Sequence, residues 1–523
     1  MRRSRKFLAM LLGAAMLLTM TAGMMPATMA QDAPVEITIA LWEVDTSFLE
    51  KDDAVYKYVC DKLGIIINPI AMTWDDYTEK VNTWVATDDM PEVFSIDLQG
   101  TKTLRSWVRD ELIRPMPEDL SPYPNLSKLF ALPSVAVTAI DGKFWNIPRA
   151  NADMSEYDSV PARGIYYRKD WAEKLGLSEP ATVDEFIDFV RAMVNGDPNG
   201  DGGNIVGITS YDWYFLAYPI WKAIEPRWFT SWQLDENGVG YIAYDAEHSF
   251  EAANTIRLMY NEGLIDPDIA IQTTDAGFDK FAMNKAALVA FQMHQNDHYL
   301  FDKFVANNPD KNIEDCIGYL KPLQNKYDGN YYFMAGGKPW SESYISYKVS
   351  DEKFEKILQV LDYFASPEWF DIARYGLEGV DYQRDADGGI TYLTEDGLHP
   401  DLRAKYPFLS GFKFLTLWDL GASFIPVDSR YPYSTQMITE YYEWTVANGT
   451  MEPYTVAFDG LSTPASEEYI DEAWTLLPKF MFSRFEGDPE AEWAAMQETF
   501  RANGLDAMLE EMNQAARNEG RLP

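Results

Sequence analysis

Between residues 35 and 97 the chain switches hydrophobic period from segment to segment, and that order restricts the fold more than any other feature. Val35, Ile37, Ile39 and Leu41 alternate with Glu36, Thr38, Ala40 and Trp42, the period of a strand. A helical pattern through Tyr56 and Val59 follows and stops at Gly64, a glycine of the kind that closes helices. Ile65, Ile66 and Ile67 form an apolar run suited to a strand buried on both faces. Another helical stretch, from about Trp74 to Ala86, leads into Val93-Phe94-Ser95-Ile96. Strand, helix, strand, helix, strand is the opening of an open, mostly parallel α/β sheet. Ligands of such sheets bind beyond the carboxyl ends of the strands, and Trp42 and Asp97 stand at two of those ends.

Helix boundaries continue down the chain. Thr182-Val183-Asp184-Glu185 is a capping box, after which Phe186, Ile187, Val190 and Met193 recur at helical spacing. Phe250, Ala253, Ile256 and Tyr260 mark a helix stopped by Gly263. Ser350 starts another, with Phe354, Ile357, Leu358 and Leu361 on one face. Ser366-Pro367 opens a fourth, closed by Gly376. There are no repeats and no low-complexity linker. Lobes joined without a linker imply a chain that crosses between them more than once.

The amino terminus reads as an export signal, residues 1–30. Arg2, Arg3, Arg5 and Lys6 precede an apolar run from Phe7 to Met20, and Ala27-Thr28-Met29-Ala30 offers cleavage after Ala30. The uncharged stretch to Ala30 is also long enough for a membrane anchor, but Gly23, Pro26 and the small residues favour removal. Cleavage takes the net charge from −38 to −42. Such a surface repels nucleic acid phosphates and anionic lipid heads, so neither is an expected partner. At 47% hydrophobic residues the chain is no acidic disordered tail. Cys60 and Cys316 are the only cysteines, too few for a disulfide framework, and Cys60 lies in an apolar helical pattern that suits a buried thiol.

Several segments, in order, resemble the extracellular solute-binding proteins of family 1, in particular the large lipoprotein-like branch serving oligosaccharide ABC importers of Gram-positive bacteria. They are Asp88-Asp89-Met90-Pro91-Glu92-Val93, Asp141-Gly142-Lys143-Phe144-Trp145-Asn146-Ile147-Pro148, and the run from Tyr167 to Leu177 followed by Pro180 to Phe186. Asn261 to Pro267, Leu361 to Phe364 and Tyr375 to Val380 complete the set. The resemblance spans nearly the whole mature chain. It implies an α/β, two-lobed periplasmic-binding-protein-like fold of type II, each lobe a mostly parallel sheet flanked by helices, joined by a multi-strand hinge. The lobes expected are residues 31–155 with about 335–430, and 156–334 with about 431–523. It also implies a monomeric receptor, not an enzyme, that closes on an oligosaccharide and delivers it to the permease subunits of an ABC transporter. The branch usually carries a lipobox cysteine, and none stands near Ala30, which leaves open how an extracellular, cell-surface protein of this kind would be anchored.

Two segments have the look of metal sites. Asp197, Asn199 and Asp201 place oxygen side chains at positions 1, 3 and 5 of an EF-hand-type loop, with Gly202 at position 6 and Gly203 and Asn204 following. Similar proteins carry calcium here, so a structural Ca2+ is expected as an option, with no cofactor required for binding. Position 9 is Ile205 and position 12 is Ile208; Asn204 supplies the missing ligand only if the loop is one residue shorter, and an ion-free polar turn is the alternative. His294 and His298 are four apart, the zinc spacing on a helix, but Ala286 to Phe291 reads as a strand and His294 begins a loop. His294 is therefore read as a cleft residue touching ligand.

Sixteen tryptophans and 31 tyrosines suit a sugar site, because a sugar ring offers apolar C–H faces and hydroxyl edges. Besides Trp42 and Asp97, the candidates are Trp145 in the segment 141–148, then Tyr211, Trp213 and Trp221 after the calcium-like loop. Trp340 after Gly336-Gly337, Tyr382 after Gly379, and Trp418 complete them. A secreted carbohydrate enzyme would also need tryptophans and two carboxylates about 5–10 Å apart; with 82 acidic residues spacing alone discriminates nothing, and nucleophile-elbow, phosphate-loop and zinc-protease motifs are absent. A receptor for peptides or other non-sugar solutes is the remaining alternative.

Overall fold

The computed structural model describes residues 33–522 apart from 133–134, 136–137, 141, 150–162, 201, 203–204, 273, 293–296, 334–338, 340, 387, 396–399, 413–414, 417–430 and 485–486. Two sheets organise it. Their strands are β1 (Val35–Trp42), β2 (Ile65–Met72), β3 (Val93–Ile96), β4 (Ile147–Pro148), β5 (Arg163–Arg168), β6 (Val206–Ser210), β7 (Ala286–Gln292), β8 (Ile317–Leu320) and β9 (Glu342–Ile345). The first sheet has the order β2-β1-β3-β9-β4, the second β8-β5-β7-β6.

Both sheets are mixed rather than mostly parallel, because each has one strand that runs against its neighbours. In the first, β1 runs parallel to β2 and β3, while β9 is antiparallel to β3 and β4. In the second, β6 and β7 are parallel and β5 opposes its neighbours β7 and β8. Register brings Trp42 opposite Met72, and Glu342 opposite both Ile96 and Pro148, so these residues share one edge of the first sheet. Arg163 pairs with Gln292 and Ser210 with Ala290 at the matching edge of the second.

The helices start and stop where the local chemistry dictates. The helix Ala54–Leu63 ends on Gly64, whose φ of 63° is the left-handed conformation that glycine adopts without strain. Thr182 and Glu185 form the reciprocal capping box of the helix Val183–Asn195. Ser350 caps Asp351–Phe364, whose Phe354, Ile357, Leu358 and Leu361 are buried as their spacing requires. The run Ile65-Ile66-Ile67 departs from expectation. It is a strand, but β2 lies at the sheet edge, so Ile65 and Ile67 are buried while Ile66 faces outward, 36% exposed.

One core gathers residues from Ile37 to Ile147 and from Tyr344 to Leu415 around the first sheet. The second sheet is covered on both faces. Ile165, Tyr167, Leu288 and Ala290 enter one cluster, while Tyr166, Val289 and Phe291, one residue out of phase, enter the other. These two clusters draw on residues between Ile165 and Leu323 and between Met437 and Leu522. Among the described residues the chain changes lobe three times, between Arg149 and Arg163, between Phe333 and Ser341, and between Thr416 and Tyr431. Among the described residues no helix is long and apolar enough to cross a membrane, and Cys60 and Cys316 are free thiols. Cys316 is buried and Cys60 half-buried.

Candidate functional site

The carboxyl edge of the first sheet carries an aromatic and charged assembly. Trp42 is the last residue of β1 and Trp74 follows the end of β2 by two. The turn between β2 and the next helix is set by Asp76, whose carboxylate accepts from the Thr73 amide at 2.8 Å. It brings the Trp74 ring onto Trp42, with centroids 5.2 Å apart and planes 11° from parallel. Tyr77, at the start of the helix Tyr77–Thr87, meets Trp42 edge-on at 5.1 Å, and its hydroxyl donates to Asp97 Oδ1 at 3.0 Å. The Trp74 indole N–H donates to Glu43 at 3.3 Å, and Glu43 is held from the other side by Arg403 at 2.9 Å.

Beneath these rings lie two buried charged residues, Arg149 and Glu342. Arg149, which follows β4, is 1% exposed, and its guanidinium carbon is 4.5 Å from the Trp42 ring centre. Its backbone N–H donates to Ser341 at 2.8 Å, tying the first passage between lobes to the second. Glu342, the next residue, is 2% exposed; one carboxylate oxygen accepts from the amides of Leu98 at 2.8 Å and Gln99 at 3.2 Å and from the Tyr344 hydroxyl at 3.0 Å. Burial pushes Arg149 down to about 9, against the attraction of Glu342 and Asp97. Burial likewise pushes Glu342 up to about 7, although the Leu98 amide and the Tyr344 hydroxyl favour its anion. Chemically, this edge offers flat apolar rings beside fixed donors and acceptors. It suits a ligand with hydroxyl groups around an apolar ring.

Between the lobes is a cavity of about 590 Å³, lined by Glu43, Val44, Asp45, Arg403 and Ser410 from the first and by Asp302 and Lys303 from the second. That size lies in the range of small-molecule sites. A smaller cavity of about 30 Å³ beside Arg163, Tyr218 and Lys222 holds no more than one or two waters.

The other sequence candidates are dispersed. Trp145 is half-buried against the first core, its indole nitrogen buried without a hydrogen-bond partner among the described residues. Tyr211 follows β6 and packs on Phe215, Phe278 and Phe291. Trp213 is half-buried against Phe229 and Trp474. Trp221 is corrected: it is fully buried, its indole donating to Arg227 O at 2.8 Å, and it serves the second core. It sits on a helix, Trp213–Lys222, in which Leu216, Ala217 and Ile220 are also buried, so no face at that level looks to a cleft. Tyr382 is 3% exposed in a small ribbon, 5.4 Å from Tyr375. Trp42 too is 2% exposed, so it acts beneath Trp74 and beside Arg149 rather than as an open platform. His294, Trp340 and Trp418 lie outside the described residues.

Trp74, Tyr77, Arg149 and Glu342 were not among the sequence candidates. Extending the strand-end rule to β2 finds Trp74, and Arg149 directly follows the segment 141–148; nothing in the sequence marks Glu342.

Of the calcium-like loop, Asp197 and Asn199 are described, while Asp201, Gly203 and Asn204 are not. Asp197 has a φ of 45°, and its carboxylate accepts from the Gly202 amide at 3.1 and 3.2 Å. The Asn199 amide donates to Asn284 O at 3.0 Å. The described part of the loop is turned about the Asp197 carboxylate, which fits a hard cation in part. Among the described residues, no group of three or more His, Cys, Asp and Glu side chains could hold a metal.

Comparison with known proteins agrees with this architecture. Residues 49–369 match the family model of the bacterial extracellular solute-binding protein. The chain is 23% identical over 321 residues to the polygalacturonan/rhamnogalacturonan-binding protein YtcQ of Bacillus subtilis, a match covering 60% of each chain. It is 28% identical over 210 residues to the fructooligosaccharide ABC transporter substrate-binding protein FusA of Streptococcus pneumoniae, covering 37% of this chain and 38% of that one. The chain thus matches 60% or less of the length of these two relatives. In fold it is similar to the alginate-binding protein AlgQ2, solved without calcium ion, with a TM-score of 0.69, 18% identity, and 94% of this chain and 99% of that one covered. It is also similar to FusA in complex with kestose, with a TM-score of 0.61, 17% identity, and 93% and 99% coverage. Two lobes with mixed sheets and a family match over more than half the sequence lead to one assignment: the chain belongs to the bacterial extracellular solute-binding protein family.

Proposed function

We propose that this chain is a receptor that captures an oligosaccharide in the cleft between its lobes and delivers it, as an exported monomer, to the permease subunits of an ABC importer. The observation that carries the reading is the Trp42–Trp74–Tyr77 group with Asp97 and Arg149 at the carboxyl edge of the first sheet. The half-buried Trp74 and Tyr77 rings take the C–H surface of a sugar ring and the Asp97 carboxylate takes its hydroxyls, while Arg149 backs Trp42 from beneath. YtcQ, FusA and AlgQ2 are carbohydrate-binding proteins by name, which supports the same ligand class. Binding energy is spent on closing the lobes, so no bond in the ligand need change. The two cores support lobes of residues 31–155 with about 335–430 and 156–334 with about 431–523.

Calcium belongs to the same reading as a structural ion held by Asp197, Asn199 and Asp201, where it would fix the loop. Trp145 and Trp340 are retained as ligand contacts.

Closure is tested by placing one fluorophore on each lobe and titrating with oligosaccharide. Energy transfer should rise saturably, and Trp145→Ala and Trp340→Ala should shift the midpoint upward with folding intact. No change in transfer with any bound saccharide would contradict the receptor mechanism.

A further inference from the structure

Trp474 is the second residue of the helix Ala473–Met481 and is 50% exposed. Leaving half of an indole in water forfeits much of the gain from burying the largest apolar side chain, so such a residue calls for a reason. Its ring is nonetheless fixed. Trp213, Tyr214 and Phe229 hold it at centroid distances of 5.4, 5.5 and 5.3 Å.

Its neighbours locate it. Trp213 and Tyr214 open a helix just after Ser210, the carboxyl end of β6, with Asp212 capping that helix through the Tyr214 amide at 3.1 Å. Arg163, at the same edge of the sheet, lies 4.4 Å from the Tyr214 ring centre. A row therefore runs from Arg163, beside the first passage between lobes, through Tyr214 to Trp474. A second observation orients the row toward the first lobe. Burial holds the Arg105 guanidinium below its usual value, and the carboxylate of Glu467, seven residues before Trp474, works against that; the same carboxylate acts on Arg109. Arg105 and Arg109 belong to the helix Lys102–Arg109, which follows the carboxyl end of β3. Glu467 of the second lobe is thus within electrostatic reach of the first lobe's helix Lys102–Arg109, while the geometry of Trp474 itself is set by the carboxyl edge of the second sheet.

We propose that Trp474 is the carbohydrate-stacking platform of the second lobe, its exposed indole face taking one ring of the oligosaccharide whose other units meet the Trp74 side. This rests on the carbohydrate reading above. Because the indole is already held by three rings, little freedom is lost when a sugar settles on it.

The test is calorimetric titration of wild type, Trp474→Ala and Trp474→Phe with the saccharide that stabilises the wild type best, alongside melting of the unliganded proteins. Trp474→Ala should raise Kd about tenfold and Trp474→Phe about threefold, with acrylamide quenching of tryptophan fluorescence reduced by ligand in the wild type and less so in Trp474→Phe. Unchanged Kd in both variants, with normal melting, overturns the platform and leaves the carbohydrate reading standing. Should Trp474→Ala misfold, Trp474→Phe decides alone. A wild type that binds no saccharide overturns both.

Discussion

The Arg149 guanidinium carbon lies 4.5 Å from the centre of the Trp42 ring, at a position where arginine is only 1% exposed. A buried cation survives only with compensation, which here comes from the ring face and from the charges of Glu342 and Asp97. The pair joins the end of β1 to the first passage between lobes, so the proposed site and the hinge share one residue.

Arg149→Lys keeps the charge but loses the flat stacking surface, and should raise Kd about tenfold with folding retained. Arg149→Ala also leaves two carboxylates uncompensated and should lower unfolding free energy by roughly 3 kcal/mol. Chemical denaturation and titration on both variants check this. Wild-type affinity in both would remove Arg149 from the site.

Glu342 should make stability depend on pH. Its carboxyl is raised from 4.5 to about 7, so between those values the folded chain holds a proton that the unfolded chain has lost. Its contribution is therefore greatest at the acid end and is lost as pH rises toward 7, at no more than about 1.4 kcal/mol per pH unit. Glu342→Gln should flatten that slope in urea midpoints taken at about pH 5, 6 and 7. An unchanged slope would mean another group carries it.

Lys222 and Glu452 form an ion pair inside the second lobe, 3% and 8% exposed, with the Tyr218 hydroxyl donating to the same carboxylate at 3.3 Å. Glu452→Leu alone and Lys222→Met alone should each cost about 3 kcal/mol, because each leaves its buried partner unpaired, whereas the double variant should recover most of it. Additive losses in this double-mutant cycle would contradict the coupling.

Calcium bound at the Asp197 loop should raise the melting temperature. An ion present at 100 times its Kd adds about 2.7 kcal/mol, so a chelator should lower the melting point and Asp197→Ala should abolish that response. A wild type indifferent to chelator and to added calcium would leave the loop an ion-free turn.

Local grammar was legible because it is local. Gly64, Thr182 with Glu185, and Ser350 set helix ends through backbone groups within one turn, so spacing alone reveals them. The position of β2 in its sheet is not local, and Ile66 was misjudged because an edge strand and an internal one share the same apolar run. The proposed site was half legible for the same reason. Strand ends point to Trp42 and Asp97, but Arg149 and Glu342 come to the same edge only because the chain leaves the first lobe and returns between them, and their burial has no sequence signature. Trp221 misled in the opposite sense, since a tryptophan count cannot separate a binding surface from a core; its buried neighbours Leu216, Ala217 and Ile220 were the available warning.

The central claim is tested most directly by a thermal-shift screen of the mature protein against a broad oligosaccharide panel beside peptides and other non-sugar solutes, followed by calorimetry and recovery of the ligand. The expected result is stabilisation by one class of oligosaccharide, saturable one-to-one binding, and return of the sugar unaltered. Stabilisation by a peptide or other non-sugar solute with no response to any saccharide, or recovery of a cleaved sugar, would contradict it.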